Sequence, residues 1–104
     1  MQRVAIKMKM LPGMKAEYKK RHDEVWPEIA ELIKNSGISD YSIFLDEETS
    51  ILFGVQKVSG NVGSQDLGAD EITKKWWDYM ADIMEVNPDN SPVTVFLDEV
   101  FYLA

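Results

Sequence analysis

The chain has 104 residues, of which 45% are hydrophobic and 28% are charged. This composition is ordinary for a globular protein, so we expect a single domain over residues 1–104 and exclude a disordered or multi-domain chain. The chain has 11 Lys and Arg residues and 18 Asp and Glu residues, and the resulting net charge of -7 disfavours nucleic acid as a partner. It has no Cys, which excludes disulfides, thiolate catalysis and Cys-ligated metals.

The N-terminal segment predicts a β-strand over residues 3–10. Apolar and polar side chains alternate there, and the turn formers Pro12-Gly13 follow. Charged residues interrupt every apolar run at the start of the chain, so we expect neither a signal peptide nor a membrane span. We therefore expect the protein to be cytoplasmic.

From Met14 onward the apolar period changes to about 3.6 residues, which predicts an amphipathic helix. The inward stripe of this helix consists of Met14, Tyr18, His22 and Val25. Pro27 lacks an N–H and disfavours a helical conformation at Trp26, so the helix should kink or restart there. The continuation should end at Asn35-Ser36-Gly37, with Gly37 as a left-handed cap.

Two segments rich in β-branched and aromatic residues, 38–46 and 50–58, flank a short acidic turn and predict a β-hairpin. The glycine-containing segment 59–68 shows little periodicity, so we expect a loop that could hold one helical turn.

A second long helix is predicted over residues 69–84, where apolar side chains recur with helical spacing. Turn formers fill residues 87–92, which indicates a loop. A final strand is predicted from Val93 to Leu103.

The element order β-α-β-β-α-β is typical of the ferredoxin-like α+β sandwich, a four-stranded antiparallel sheet with both helices on one face. In the strands over 50–58 and 93–103, however, apolar residues occupy both odd-numbered and even-numbered positions. Since these positions point to opposite faces of a strand, both faces of the sheet require burial. A chain this short cannot cover the second face itself. We therefore expect a homodimer with two sheets packed face to face and the C-terminal tail extending the partner's sheet.

His22 is the only histidine, and it lies on the inward stripe of the first helix. Tyr18 precedes it by four residues, so both side chains can contact one ligand. An imidazole with an ordinary pKa of about 6.5 suits proton transfer near neutral pH. The alternative interpretation is a structural histidine hydrogen-bonded to a backbone carbonyl.

A metal site is not expected. With one His and no Cys, the ligands would have to be carboxylates. Asp23 and Glu24 project about 100° and 200° around the helix from His22, so the three side chains do not converge.

The adjacent pair Trp76 and Trp77 is the second candidate feature. Neighbouring helical positions differ by about 100°, so when one indole packs between helix and sheet, the other lines an edge or a cavity. Trp and Tyr rings bind the C–H faces of sugars while their N–H or O–H groups bond hydroxyls. Tyr41 offers a further side chain of this kind. From the pattern alone, simple core packing is the favoured interpretation of the two indoles, and packing on the sheet with a solvated hydroxyl is the alternative for Tyr41.

Several motifs, taken together and in this order, resemble the L-rhamnose mutarotase family over nearly the whole chain. They are Glu17-Tyr18-Lys19-Lys20-Arg21-His22, Trp26-Pro27-Glu28, Tyr41 with Leu45-Asp46, Trp76-Trp77 with Tyr79-Met80, Asn87-Pro88-Asp89-Asn90-Ser91-Pro92 and Glu99-Val100-Phe101-Tyr102-Leu103. The segment 59–68 shows no family pattern.

This resemblance implies a dimeric α+β barrel of ferredoxin-like subunits and an isomerase of rhamnose catabolism that interconverts the α and β anomers of the pyranose. The family's proton donor falls on His22. Its sugar-contacting positions fall on Tyr18, Tyr41, Trp76 and Trp77.

Mutarotation requires one proton delivered to the ring oxygen and another removed from the anomeric hydroxyl. General acid–base catalysis contributes about 10²- to 10⁴-fold per positioned group, so we expect no cofactor and no metal. His22 is the expected acid, and the base is left open among Tyr18, Tyr41, a water and a backbone carbonyl. The apolar indoles suit L-rhamnose or a similar 6-deoxy sugar.

Two other functions are considered. Dimeric α+β barrels also include haem-binding and cofactor-free oxygenases, in which an inward histidine such as His22 would serve as a haem ligand. A sugar-binding module without catalysis is the third hypothesis.

Overall fold

The computed structural model describes residues 2–104, which form one four-stranded antiparallel sheet and three α-helices. The strands are β1 (Gln2–Lys9), β2 (Ile38–Asp46), β3 (Ile51–Val58) and β4 (Val95–Leu97), and the helices are α1 (Lys15–Asp23), α2 (Pro27–Asn35) and α3 (Glu71–Met80). The strand order is β2-β3-β1-β4. This is the order of a ferredoxin-like α+β sandwich, so the predicted fold class is confirmed.

The core lies between the helices and one face of the sheet. Alternation along β1 buries Ile6 and Met8 and turns Lys7 and Lys9 away from them. The main buried cluster consists of Ile6, Met8, Met10, Tyr18, Ile29, Leu52, Trp76, Met80, Ile83 and Met84. The opposite face of the sheet, here called the outer face, carries no helix among the residues described.

The predicted break between α1 and α2 is confirmed. Trp26 has an extended conformation, with φ -58° and ψ 131°, and Pro27 is the first residue of α2. The predicted cap is confirmed as well, because Gly37 has φ +86°. Its N–H donates to Lys34 O over 3.1 Å, and its carbonyl accepts the N–H of Ser59 over 2.9 Å.

A β-bulge, which the sequence pattern does not predict, interrupts β2. Ser39 pairs with Lys57 and Ser42 pairs with Val55, so Asp40 and one following residue oppose a single residue of β3. Asp40 absorbs the extra length with φ 47°. Because of the bulge, Ile38 before it and Ile43 after it both face the helices, although one position is even-numbered and the other odd-numbered.

Two predicted boundaries are wrong. The helix expected over 69–84 is regular only from Glu71 to Met80; a short 3-10 turn follows, and Met84 is extended because it forms a bridge with Met10. The strand expected from Val93 to Leu103 contains only Val95–Leu97.

Beyond Leu97, the C-terminal tail contacts Arg3 of β1 through two side chains. Arg3 binds the carboxylate of Glu99 at 3.2 Å, and its guanidinium lies 3.5 Å from the centre of the Tyr102 ring. Residues 98–104 form no further strand pairs with β1, and their apolar side chains are exposed.

Across residues 2–104, none of the helices has the length and apolarity needed to cross a membrane.

Gly37→Ala is expected to lower the free energy of unfolding by about 2 kcal/mol, because an L-residue is strained at positive φ and the new Cβ would overlap the Ser59 side chain. Gly13→Ala is the matched control, since Gly13 has φ +81° but open space around it. We expect that substitution to cost about 1 kcal/mol. Urea unfolding measures both, and an equal loss in the two variants would show that Ser59 plays no part.

Candidate active site

A cavity of about 790 Å³ lies between the helices and the sheet. Its size is within the range of about 300–1,000 Å³ that is usual for small-molecule sites. All five side chains singled out from the sequence line it, namely Tyr18, His22, Tyr41, Trp76 and Trp77. The fold thus brings residues of α1, β2 and α3 to one place.

The His22 imidazole is half-buried and fixed by its own helix. Its Nδ1 lies 3.1 Å from the backbone oxygen of Tyr18, one turn earlier. The ring stacks on the Tyr18 ring, with 4.2 Å between centroids and 19° between planes. Burial lowers the pKa of His22 from its ordinary value, and the bond to the Tyr18 carbonyl and the charge of Asp23 oppose this only in part.

A chain of aromatic rings supports the imidazole from the side of α3. The edge of Trp76 meets His22 at 5.5 Å between centroids, and Trp26 meets Trp76 at 5.1 Å. Tyr79 stacks on Trp26 at 5.4 Å. Such edge and stacked contacts are favourable beyond the area they bury, so the rings hold α1, α3 and the start of α2 in a fixed arrangement.

Arg21 links α1 to the end of α3 beside these rings. Its guanidinium donates to Glu17 over 2.7 Å, to Tyr79 O over 2.7 Å and to Asp82 over 2.8 Å. Hydrogen bonds from Arg21 are the main reason why the pKa of Asp82 is lowered. The cross-link fixes the position of the helix that carries His22.

Both cavity phenols hold their protons firmly. Burial raises the pKa of Tyr18, and the neighbouring Tyr41 adds to this. Burial also raises the pKa of Tyr41, opposed by a hydrogen bond from Ser64. At neutral pH both side chains are therefore hydrogen-bonding hydroxyls rather than phenolates.

The segment 59–68 forms part of the cavity wall, and it contains the single helical turn that was predicted, a 3-10 turn over Ser64–Asp66. Gln56, 1% exposed within β3, holds this turn to the sheet. Its amide donates to Ser64 Oγ over 2.8 Å, and its Oε1 accepts the N–H of Ser64 over 2.9 Å. Ser64 and Gln65 both line the cavity.

Gly68 sets the position of Trp77. A Cβ at residue 68 would lie 2.7 Å and 2.9 Å from two carbons of the Trp77 six-membered ring, closer than real Cβ contacts. The half-buried indole therefore rests directly on the backbone of residue 68. Trp76 is 9% exposed, so one indole packs in the core and its neighbour forms a wall, as their spacing predicts.

Thr73 is a further cavity residue that sequence reasoning missed. It lies one turn before Trp76 and Trp77 and is 5% exposed. Its hydroxyl is the one buried polar side-chain atom without a hydrogen-bond partner within residues 2–104. The sequence signals this position only through spacing, because Thr73 precedes Trp76 by three residues and Trp77 by four, which places all three on one side of the helix.

The residues described include no cluster of three or more His, Asp or Glu side chains arranged to hold a metal ion.

Comparison with known proteins gives one consistent family. The family model described as L-rhamnose mutarotase matches residues 3–103. The L-rhamnose mutarotase of Formosa agariphila is 63% identical over 103 residues, and that of Bacteroides thetaiotaomicron is 61% identical over 103 residues, with 99% of both chains covered in each case. That of Listeria monocytogenes is 55% identical over 104 residues, with both chains fully covered.

Among solved structures, a crystal structure of an L-rhamnose mutarotase from Formosa agariphila superimposes with a TM-score of 0.94. Its sequence is 59% identical, and the match covers 100% of both chains. These relatives give no support to the oxygenase hypothesis.

Gly68→Ala is expected to displace the Trp77 indole and to lower the free energy of unfolding by about 1–3 kcal/mol, because the added methyl overpacks the contact. Trp77→Phe removes the ring atoms that would clash. In a double-mutant cycle, the pair Gly68→Ala and Trp77→Phe should therefore lose less stability than the sum of the single variants. Additive losses, with unchanged tryptophan fluorescence in Gly68→Ala, would contradict this contact.

Proposed function

This chain belongs to the L-rhamnose mutarotase family and is an isomerase that interconverts the α and β anomers of L-rhamnose, and we propose that it does so in the cavity beside His22. The observation that carries the proposal is the convergence of one imidazole, two phenols and two indoles on one cavity. These groups supply proton transfer, hydrogen bonding and apolar contact, which are the three requirements of the reaction.

The sugar is bound by four aromatic residues of the cavity, two tyrosines and two tryptophans. The protonated phenols of Tyr18 and Tyr41 donate hydrogen bonds to sugar oxygens, and the indoles of Trp76 and Trp77 contact the C–H faces of the pyranose. L-rhamnose carries a methyl group where most hexoses carry a hydroxymethyl, and apolar walls favour that methyl.

His22 is the proposed proton donor to the ring oxygen. Protonation of that oxygen assists cleavage of its bond to the anomeric carbon, which yields the open-chain aldehyde. The pyranose then recloses on the other face of the carbonyl to give the other anomer. Proton transfer alone is sufficient for this sequence, so the proposed mechanism uses no cofactor.

We also propose that two copies of this chain associate through the outer face of the sheet. Phe44 and Phe53 lie opposite each other on that face, and Phe44 is 64% exposed. Val95 and Leu97 of β4 add apolar surface to it, and the tail Val100–Leu103 is exposed as well. An apolar face of this extent is typical of an interface.

His22→Ala is expected to lower kcat by about 10²-fold or more and to leave KM nearly unchanged, because the proton transfer matters mainly in the transition state. His22→Gln, which keeps a polar side chain of similar size but transfers no proton, should be as impaired. Saturation-transfer NMR of the two rhamnose anomers at equilibrium measures the exchange rate. A folded His22→Ala protein with the wild-type rate would refute the assignment.

Sedimentation velocity at low micromolar concentration should show a dimer, because burial of the outer face removes exposed phenylalanine rings from water. Phe44→Glu places a charge on that face and is expected to give monomers. Lys74→Glu, on the exposed side of α3, changes charge without touching the outer face and should stay dimeric. A monomeric wild-type chain would refute the proposed association.

A further inference from the structure

We infer that neutral His22 acts first as the base, in that its Nε2 removes the proton of the anomeric hydroxyl and the resulting imidazolium delivers that proton to the ring oxygen. One side chain then performs both proton transfers of ring opening. This inference rests on the proposed function of the cavity and names the base that the sequence leaves open.

The hydrogen bond of His22 fixes which nitrogen is available. A carbonyl oxygen only accepts hydrogen bonds, so Nδ1, at 3.1 Å from Tyr18 O, must carry a hydrogen. In the neutral ring Nε2 is then the unprotonated nitrogen. The partner lies one helical turn away in the same chain segment, so the regular geometry of α1 imposes this tautomer.

The surroundings of His22 favour the neutral form. The stacked ring of Tyr18 and the edge of Trp76 cover part of the half-buried imidazole, and burial lowers its pKa. The charged neighbour of His22 on its own helix is Asp23, Lys15 and Lys19 of α1 also line the cavity, and α3 presents the uncharged Trp76. Tyr41 of β2 lies beside Tyr18. Both phenols are neutral at pH 7, and the Asp23 carboxylate is bound to Lys19 at 2.9 Å.

The other groups around the cavity are poor bases. The phenols of Tyr18 and Tyr41 already carry protons that burial makes harder to remove. The carboxylates of Asp23 and Asp40 lie at the cavity rim, where both are exposed. Each is paired with a lysine, Asp23 with Lys19 and Asp40 with Lys57 at 3.1 Å. Away from the rim, His22 is therefore the cavity side chain that can accept a proton at neutral pH.

The step balances without any other reactant. The O–H bond of the anomeric hydroxyl breaks, and its proton binds to Nε2. The electrons of that bond form the carbonyl as the bond between the anomeric carbon and the ring oxygen breaks. The ring oxygen takes the proton from Nε2, so His22 is neutral again. Because both oxygens are bonded to the same carbon, one imidazole can reach each in turn.

The pH dependence of kcat/KM tests this order, because it reports the ionisation of the free enzyme. With the non-enzymatic rate subtracted, we expect kcat/KM to rise with pH through a pKa below the ordinary value of about 6.5 and then to stay level to about pH 9. At one pH unit below that pKa, kcat/KM should be about tenfold lower. A histidine that must start as the acid gives the opposite slope, which would overturn the inference.

A second measurement is independent of activity. Because His22 is the only histidine, isotope-labelled histidine gives one pair of ring-nitrogen NMR signals. We expect the neutral tautomer with hydrogen on Nδ1 and a titration midpoint equal to that of the kcat/KM profile. A neutral ring with hydrogen on Nε2 would overturn the inference.

Two variants separate this inference from the proposed function. Full activity in His22→Ala would refute the catalytic role itself, whatever the pH profile. A different pair of results would refute base-first catalysis but retain the donor role. In that case His22→Ala is inactive, and the kcat/KM of the wild-type protein falls as pH rises through the histidine midpoint. Tyr41→Phe should keep the rising limb at the same pKa, and loss of that limb in this variant would identify Tyr41 as the base instead.

Discussion

The Trp76 indole is the contact on which both the fold and the site depend. It lies against His22 of α1 and against Trp26, the residue that precedes α2, and it belongs to α3. Three helices therefore meet at one side chain. The same contact covers part of the imidazole, so the packing that stabilises the helix layer also contributes to the burial that lowers the pKa of His22. Stability and chemistry cannot be varied independently at this position.

Much of this arrangement is predictable because its causes are local. The alternation along β1 and the proline after Trp26 fix the first strand and the break between α1 and α2. The spacing of four residues between Tyr18 and His22 predicts their contact, which the structure shows as stacked rings. Even the element order is sufficient for the sheet topology, because ferredoxin-like connections leave few alternatives.

The features that sequence reasoning missed depend on distant partners. The contacts of Arg3 with Glu99 and Tyr102 join residues almost a whole chain length apart in sequence. The segment 59–68 shows no periodicity because its position comes from tertiary contacts, above all those of buried Gln56 with Ser64. The close contact of Gly68 with Trp77 is likewise invisible to a pattern of hydrophobicity, since glycine has no side chain to score.

The bulge in β2 also governs which changes of chain length the site can tolerate. In a regular strand, loss of one residue reverses the faces of all the residues beyond it. At Asp40 the result is different, because this residue is the surplus one in the pairing with β3. Its deletion would restore one-to-one pairing and keep Ile38 and Ile43 on the helix side. A deletion at Asp40 would place Tyr41 opposite Gln56, on the helix side that it already occupies, so β2 can be shortened there without turning the cavity residues outward.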